Sequence, residues 1–184
     1  MRVSMNGSND RMVHARRRLD LTSEIQRDAA EALAFIVPLS TDYPGIKTWF
    51  NSKVVPGLID GTRYLHRIER DGQLVGLGIA KLEPFERKIC TVRIAPSYVG
   101  RGIGIRIFDS LLKWLDTDRP HLTVNERKIH AFERIFDWYG FNLTSVRSGL
   151  YVPNLSEFAF NENNLKQNLH KINPLITEKL LPHQ

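Results

Sequence analysis

The chain has 184 residues, of which 42% are hydrophobic and 25% are charged, a composition that fits one globular domain with a sizeable core. No apolar run approaches the length of about 20 residues that a membrane-spanning helix needs, and the N-terminus lacks the apolar segment of a signal peptide. The single cysteine, Cys90, excludes an internal disulfide and agrees with a reducing compartment. We therefore expect a cytoplasmic protein that does not contact a membrane.

The positive charge of the chain is concentrated at its N-terminus. Residues 1–18 contain five arginines and one aspartate, which is +4 of the net charge of +6. We expect residues 1–20 to form a basic, disordered tail, and a polyanion is the partner that such a tail would contact. A function in nucleic-acid binding through the tail is a weaker alternative, because only charge favours it.

Two helices are predicted after the tail. Ser23 and Gln26 form a capping box, and the apolar spacing that follows predicts a helix over residues 23–36. A second helix is predicted from Asp42 to the residue before Pro56. We expect its apolar stripe to pack in the core, with the wall of a substrate cleft as the alternative; the stripe consists of Ile46, Trp49, Phe50 and Val54.

The middle of the chain predicts three antiparallel strands, over residues 62–69, 73–82 and 87–95. Asp71-Gly72 between the first two is a strong signal for a two-residue hairpin. Gly76 and Gly78 in the second strand leave room for another element to cross that face of the sheet.

A glycine-rich turn follows the third strand and leads into an amphipathic helix, within Ile94 to Leu115. Gly100, Gly102 and Gly104 allow the backbone to come close to a ligand, and the first amides of a helix attract anions. The turn therefore predicts a phosphate site.

The remaining elements are a strand, a helix and a hairpin. The strand at 121–125 follows a crossover, so we expect it to run parallel to the third strand. A helix up to Tyr139 is predicted to end at a left-handed cap on Gly140. Residues 141–147 and 150–160 predict a second hairpin, and 161–184 form a C-terminal extension that can dock as a short helix.

The glycine turn fits neither of two common phosphate motifs. A P-loop requires a lysine directly after its glycines, and none follows here. A dinucleotide fingerprint requires a repeating strand–helix–strand chain, whereas antiparallel strands precede this turn.

Two segments together make the chain resemble the GNAT superfamily of acyl-CoA-dependent N-acetyltransferases. These are the run Arg101-Gly102-Ile103-Gly104 after a strand, and Trp138-Tyr139-Gly140-Phe141 after the later helix. The resemblance covers about residues 23–160, so we expect a GNAT domain over 21–160. A narrower resemblance is to bacterial members with Trp49-Phe50, Lys53-Val54 and the strand Lys88 to Thr91.

The resemblance implies an α+β fold with a mixed, mostly antiparallel sheet of six to seven strands and helices on both faces. Strands 88–95 and 121–125 would be parallel and splayed, with the thioester of acetyl-CoA between them. Coenzyme A would bind through the amides of the glycine turn and the main chain of the third strand. The implied coenzyme residues are Val92, Arg93, Ile94, Gly100, Arg101, Gly102, Ile103, Gly104, Ile105 and Asn125.

The chain departs from the family pattern where catalytic groups are usual. The common general acid is replaced by Phe136, and a strand position that carries glutamate in some members is Lys88. The candidate catalytic residues are therefore Glu83 and Glu86 as bases and Tyr139 as acid. Each also has a purely structural interpretation, and Tyr98 and Tyr151 are further candidates for the acid.

No metal site is expected, because the six histidines lack the spacing of metal ligands. Cys90 has no histidine paired with it by any motif, so we interpret it as a buried small residue.

The predicted function is transfer of an acetyl group from acetyl-CoA to a primary amine by direct attack in a ternary complex. The acceptor is a small molecule, a protein or an aminoacyl-tRNA, the last as in toxin-type members of the family. The alternative is a catalytically inactive acyl-CoA-binding regulatory module. The oligomeric state is left open between monomer and homodimer.

Overall fold

A computed structural model describes residues 7–162 of the chain, with side chains from residue 22 onward. The chain divides into two compact units, residues 1–61 and 62–184. The predicted domain over 21–160 includes parts of both units, and that division of the chain stays a prediction. The predicted extension over 161–184 lies almost entirely outside the described residues.

The first unit is helical. Its buried residues include Ala29, Ala32 and Ile36 from the long first helix and Phe50 and Val54 from the later turns. Its elements are α1 (Gly7–Ile36), a 3-10 turn (Val37–Thr41), α2 (Ile46–Trp49), a π-helical turn (Phe50–Val54) and α3 (Val55–Asp60).

The predicted start of the first helix at residue 23 is wrong. Helix α1 begins at Gly7, so residues 7–20, which we expected to be disordered, are helical and Ser23 lies inside the helix. Residues 8–36 contain no glycine or proline and are rich in Ala and Arg, which favour helix. A capping-box pattern inside such an uninterrupted segment does not start a helix.

The predicted end of the second helix before Pro56 is also wrong. A proline ring clashes with the carbonyl four residues earlier in a regular α-helix. Here the backbone forms a π-helical turn in which Val55 N donates to Phe50 O, and Pro56 then occupies the first turn of α3. A proline at that position needs no amide hydrogen, so the helical path continues to Asp60.

The second unit contains two three-stranded antiparallel sheets, with strand orders β1-β2-β3 and β4-β6-β5. Among the residues that the structure describes, the two sheets are bridged at a single parallel pair, Lys88 with His121. The expected single sheet of six to seven strands is therefore wrong in detail, because β4 pairs fully with β6 and touches β3 at one point. The elements are β1 (Arg63–Arg70), β2 (Gln73–Glu83), β3 (Glu86–Ile94), α4 (Ile103–Leu115), β4 (Leu122–Asn125), α5 (Ile129–Tyr139), β5 (Leu143–Ser148) and β6 (Ser156–Phe160).

Two local predictions in this unit are confirmed. Asp71 and Gly72 have φ values of 51° and 72°, which is the two-residue hairpin turn expected between β1 and β2. Gly140 ends α5 in the left-handed region with φ 63°. The second hairpin also forms, although β6 begins at Ser156 and not at residue 150.

The space above Gly76 and Gly78 is filled by helix α4. A Cβ on Gly78 would lie 2.5 Å from Ile107 Cγ2, and one on Gly76 would lie 2.7 Å from Ile103 Cγ2. The two glycines therefore let α4 pack directly against the backbone of β2, and this contact fixes the helix over the sheet.

An aromatic cluster fills the space between the two sheets and the helices α4 and α5. Phe136 lies at its centre, with its ring centroid 4.5 Å from that of Phe160 and 6.3 Å from that of Phe108. The residue at the usual position of the general acid is thus buried core, with 3% of its surface exposed. Within the part of the chain that the structure describes, no helix is both long and apolar enough to cross a membrane.

The close packing of α4 on β2 predicts that Gly78→Ala destabilises the protein. The added methyl group would overlap Ile107, and overpacking of a filled core costs about 1–3 kcal/mol. We expect urea unfolding to show a loss of about 2 kcal/mol. Gly45→Ala is the matched control, because a Cβ there meets nothing within 4 Å, and it should change stability by less than about 0.5 kcal/mol. Equal stability of the two variants would contradict the packing described.

Candidate functional site

The two sheets meet at His121 and separate from there. His121 N donates to Arg87 O at 2.8 Å, and Ile89 N donates to His121 O at 2.9 Å. The following residues, Leu122–Asn125, pair with β6 instead. Beyond Ile89, none of the described strands pairs with this edge of β3. The parallel strands are therefore joined at one point and splayed beyond it.

The free edge of β3 presents the main chain of Val92 and Ile94. Ala95 N donates to Val75 O at 2.8 Å, which places Ala95 in a hydrogen-bonded pair with β2. In an antiparallel ladder these pairs alternate, so the amides and carbonyls of Val92 and Ile94 point to the opposite edge. An extended ligand can add to this edge as an extra strand.

A β-bulge at Cys90 lies between the junction and the free edge. Ala80 pairs with Ile89 and Ile79 pairs with Thr91, so Cys90 is the extra residue in β3. Arg63 Nη1 donates to the Cys90 sulfur at 3.5 Å. Burial raises the pKa of the Cys90 thiol, against the nearby positive charges of Lys88, Arg63 and Lys81. The group is therefore a neutral thiol at neutral pH.

The glycine turn leads from this edge to the N-terminus of α4. Gly100 and Gly102 have φ values of 80° and 74°, where a side chain would be strained. The first helical hydrogen bond runs from Arg106 N to Gly102 O, at 3.3 Å. The three amides before Arg106 precede that bond, so they are available to an anion at the positive end of the helix dipole.

Two of the predicted coenzyme residues, Arg101 in the turn and Arg93 on β3, have long basic side chains. The guanidinium carbon of Arg101 lies 5.2 Å from the centroid of the Tyr98 ring, a cation–π contact. Arg93 is on β3, where burial lowers the pKa of its guanidinium. The guanidinium of Arg101 adds positive charge within the glycine turn.

Asn125 ends β4 on the other side of the splay and is fully buried. Its Oδ1 accepts from Arg127 N at 3.0 Å, whereas its Nδ2 has no hydrogen-bond partner among the described residues. Glu157, which is 2% exposed, lies directly opposite Asn125 in the pairing of β4 with β6. A buried amide donor without a partner is costly, which makes Asn125 Nδ2 a candidate donor to a ligand.

The two residues predicted as general bases, Glu83 and Glu86, lie at the turn between β2 and β3. Glu86 is engaged on both oxygens: Oε2 pairs with Lys81, and Oε1 lies 3.0 Å from His121 Nδ1. Glu83 is more exposed and lies 3.2 Å from Lys81 Nζ.

The environment of Glu86 holds it in the ionised form. Burial acts to raise the pKa of Glu86, but hydrogen bonds from His121 and Lys81 and the charges of Lys81 and Lys88 outweigh it, so the pKa lies well below its usual value. A carboxylate with so low a pKa is a weak proton acceptor at neutral pH. Its geometry instead suits it to orienting the histidine that it contacts.

Tyr139, the predicted general acid, is the last residue of α5, and its hydroxyl is hydrogen-bonded to α4. Its hydroxyl donates to Asp109 Oδ1 at 2.7 Å, and Ile105 O lies at 3.3 Å. Burial, the hydrogen bond to Asp109 and its charge raise the pKa of Tyr139 far above the usual value. The hydroxyl is therefore a poor proton donor in this arrangement, and the catalytic role of Tyr139 stays a prediction.

Sequence reasoning gave no role to His121, Lys81 or Glu157. His121 directly precedes β4, and its contact with Glu86 joins positions 35 residues apart that no motif links. Glu157 is a charged residue within the apolar strand β6, a pattern that indicates an inward-facing carboxylate once the register is known. Among the described residues, no cluster of three metal-binding side chains is present.

The fold is the one found in acetyltransferases of the GNAT type. Residues 24–138 match the family model described as the acetyltransferase (GNAT) family, which covers more than half of the chain. The chain therefore belongs to the GNAT acetyltransferase family. No curated protein matches the chain in sequence.

Solved structures share the fold at low sequence identity. A GNAT-family acetyltransferase from Streptococcus pneumoniae is 18% identical with a TM-score of 0.55, over 73% of this chain and 92% of that chain. The PaiA N-acetyltransferase from Thermoplasma acidophilum is 14% identical with a TM-score of 0.53, over 73% and 91%. An aminoglycoside 6'-N-acetyltransferase is 11% identical with a TM-score of 0.53, over 72% and 88%.

The ion pairs of Glu86 predict a pH-dependent contribution to stability. We expect Glu86→Gln to lower the free energy of unfolding by about 2 kcal/mol at neutral pH, less than a fully buried pair would lose, because Lys81 keeps Glu83 as a partner. Since the pKa of Glu86 is lowered by folding, its contribution is present above the unfolded pKa of about 4.3 and is lost as the pH falls below it.

Urea unfolding at a series of pH values measures this effect. The difference between wild type and Glu86→Gln should shrink as the pH falls below about 4. Glu69→Gln is the control, because Glu69 forms an exposed ion pair with Arg67 at 2.8 Å and should contribute less than about 0.5 kcal/mol at every pH. A difference that grows on acidification would contradict the lowered pKa.

Proposed function

We propose that the protein transfers an acetyl group from acetyl-CoA to a primary amine by direct attack in a ternary complex. The observation that carries the proposal is the free edge of β3 at Val92 and Ile94, which leads directly to the amides at the start of α4. An extended chain that ends in a pyrophosphate matches this arrangement of an unpaired strand edge followed by an anion site.

The residues present fit coenzyme A. The amides from Gly100 to Ile105 would hold the pyrophosphate, with Arg101 in the same turn as a positive charge. Val92 and Ile94 would bond the pantetheine amides, and Asn125 Nδ2 would supply a further donor from β4. Two of the solved structures that share the fold are described as complexes with coenzyme A.

In this proposal the reacting end of such a ligand lies near the junction of β3 and β4, which the splay of the two strands supports. A main-chain amide there can stabilise the oxyanion that forms when the amine attacks the carbonyl carbon. The thiolate of coenzyme A, with a pKa near the cysteine value of about 8.5, can leave without a protein acid. This agrees with the buried position of Phe136 at the usual place of the acid.

The alternative is an acyl-CoA-binding regulatory module without chemistry, and Phe136 and Lys88 are the residues that favour it. Release of free coenzyme A thiol from acetyl-CoA, measured with a panel of primary amines, separates the two. Amine-dependent release supports the transferase. Binding of acetyl-CoA without release by any member of a broad panel supports the regulatory module.

The role of Asn125 predicts a specific loss of coenzyme affinity. Asn125→Asp keeps the Oδ1 acceptor for Arg127 N but removes the Nδ2 donor. The loss of one hydrogen bond, about 1–2 kcal/mol, together with the carboxylate added beside buried Glu157, should weaken acetyl-CoA binding at least about 10-fold in isothermal titration. The exposed residue Asn51 provides the control, since Asn51→Asp adds the same charge and should leave the affinity unchanged. Equal affinity of both variants with wild type would remove Asn125 from the site.

A further inference from the structure

The junction between β3 and β4 holds a histidine and a carboxylate that the proposed binding of coenzyme A does not use. His121 Nδ1 lies 3.0 Å from Glu86 Oε1, and their side chains are 13% and 16% exposed. Lys81 pairs with the second oxygen of Glu86. These three residues form one partly buried network near the point where the strands separate.

The chemistry of the network fixes the tautomer of the neutral His121 ring. Glu86 is ionised and can only accept hydrogen bonds, so Nδ1 of His121 must carry the proton that lies between them. The other ring nitrogen, Nε2, then carries the lone pair. It is buried and has no hydrogen-bond partner among the described residues. A histidine oriented by a carboxylate in this way is the arrangement of a general base.

His121 lies at the point where β3 and β4 begin to separate, so its Nε2 lone pair is near the edge of β3 on which a ligand can add. Ile89 and Leu122 belong to the core with α4 and α5, and side chains alternate along a strand, so Glu86, Lys88 and His121 lie on the opposite face. Only Cys90 and Thr91 separate the junction at Ile89 from Val92, a distance on the order of 10 Å along the strand. An extended ligand on Val92 and Ile94 therefore points its end toward His121.

We infer that His121 is the general base of the acetyl transfer and that Glu86 is the residue that positions it. This inference rests on the proposed function and names the group that accepts the proton. It assigns Glu86 a role through His121, in place of the direct role that the sequence predicts.

The reaction balances with His121 as the acceptor of one proton. Nε2 takes a proton from the ammonium form of the acceptor, directly or through one water, and frees the nitrogen lone pair. The nitrogen forms a bond to the thioester carbonyl carbon, and the carbon–sulfur bond breaks. The departing thiolate takes the proton from the imidazolium, and the second nitrogen proton goes to solvent.

A second carboxylate, that of Glu162, acts on His121 in addition to Glu86. Glu162, just after β6, interacts electrostatically with His121, and the Arg147 guanidinium pairs with that carboxylate. Glu162 therefore adds a second negative charge to the surroundings of His121, besides Glu86.

Two probe amines of the same size separate a base from a structural residue. n-Butylamine is protonated at neutral pH and must lose a proton before attack, whereas O-propylhydroxylamine is already neutral. We expect His121→Gln to lower kcat/KM for n-butylamine about 100-fold and for O-propylhydroxylamine less than about 3-fold. Acetyl-CoA affinity, measured by isothermal titration, should stay within about 2-fold, since the fold and the coenzyme site are retained.

Matched variants sharpen the result. His130→Gln is the control, because His130 makes the same contact with Glu133, at 3.0 Å, on the exposed surface and should leave both rates unchanged. Glu86→Gln should lower the ratio of the n-butylamine rate to the O-propylhydroxylamine rate by about 10-fold, a change that a merely structural role would not produce. The n-butylamine rate of His121→Gln should recover at high pH, where the amine is unprotonated.

The outcomes distinguish this inference from the proposed function. Suppose that wild type acetylates both amines and that His121→Gln either lowers both rates equally or leaves both unchanged. Then His121 is not the general base, although the transferase proposal stands. If wild type binds acetyl-CoA but acetylates neither probe nor any other amine, the transferase proposal fails and the role of His121 fails with it.

Discussion

The candidate site depends on the very short pairing between the parallel strands β3 and β4. Two main-chain hydrogen bonds, from His121 N and to His121 O, hold the parallel strands together. A longer parallel ladder would use the same backbone groups of β3 that face the splay, and an extended ligand would then have no edge to pair with. β4 pairs with β6 along Leu122–Asn125 and meets β3 only at the bridge of His121 with Lys88, so the edge of β3 beyond Ile89 is left open.

The β-bulge at Cys90 serves the same arrangement at the level of single residues. The extra residue changes the alternation along β3, so that the groups facing the splay change from Arg87 and Ile89 before the bulge to Val92 and Ile94 after it. Without it, the ladder with β2 would continue in one register, and Val92 and Ile94 would direct their amides to β2. Binding on this edge therefore depends on an irregularity, which sequence patterns do not reveal.

Sequence reasoning identified what is local. The hairpin at Asp71-Gly72, the cap at Gly140 and the helix after the glycine turn follow from the conformational preferences of a few adjacent residues. The split into two sheets and the contact of His121 with Glu86 depend on pairings between distant segments, for which no local signal exists. The wrong predictions at Ser23 and Pro56 have another cause. Ser23 was interpreted as a helix start and Pro56 as a helix end, as is usual for these residue types, but the surrounding residues continue the helical path through both.

Helix α4 is positioned by β2 and not by the loop that precedes it. The contacts of Ile103 and Ile107 above Gly76 and Gly78 set where the helix begins, independently of residues 95–102. The amides at the helix start thus keep their place while the sequence of the loop changes. Natural variation or engineering can therefore alter the loop around the phosphate end of the site without moving its main-chain donors, whereas a side chain added at either glycine would displace them.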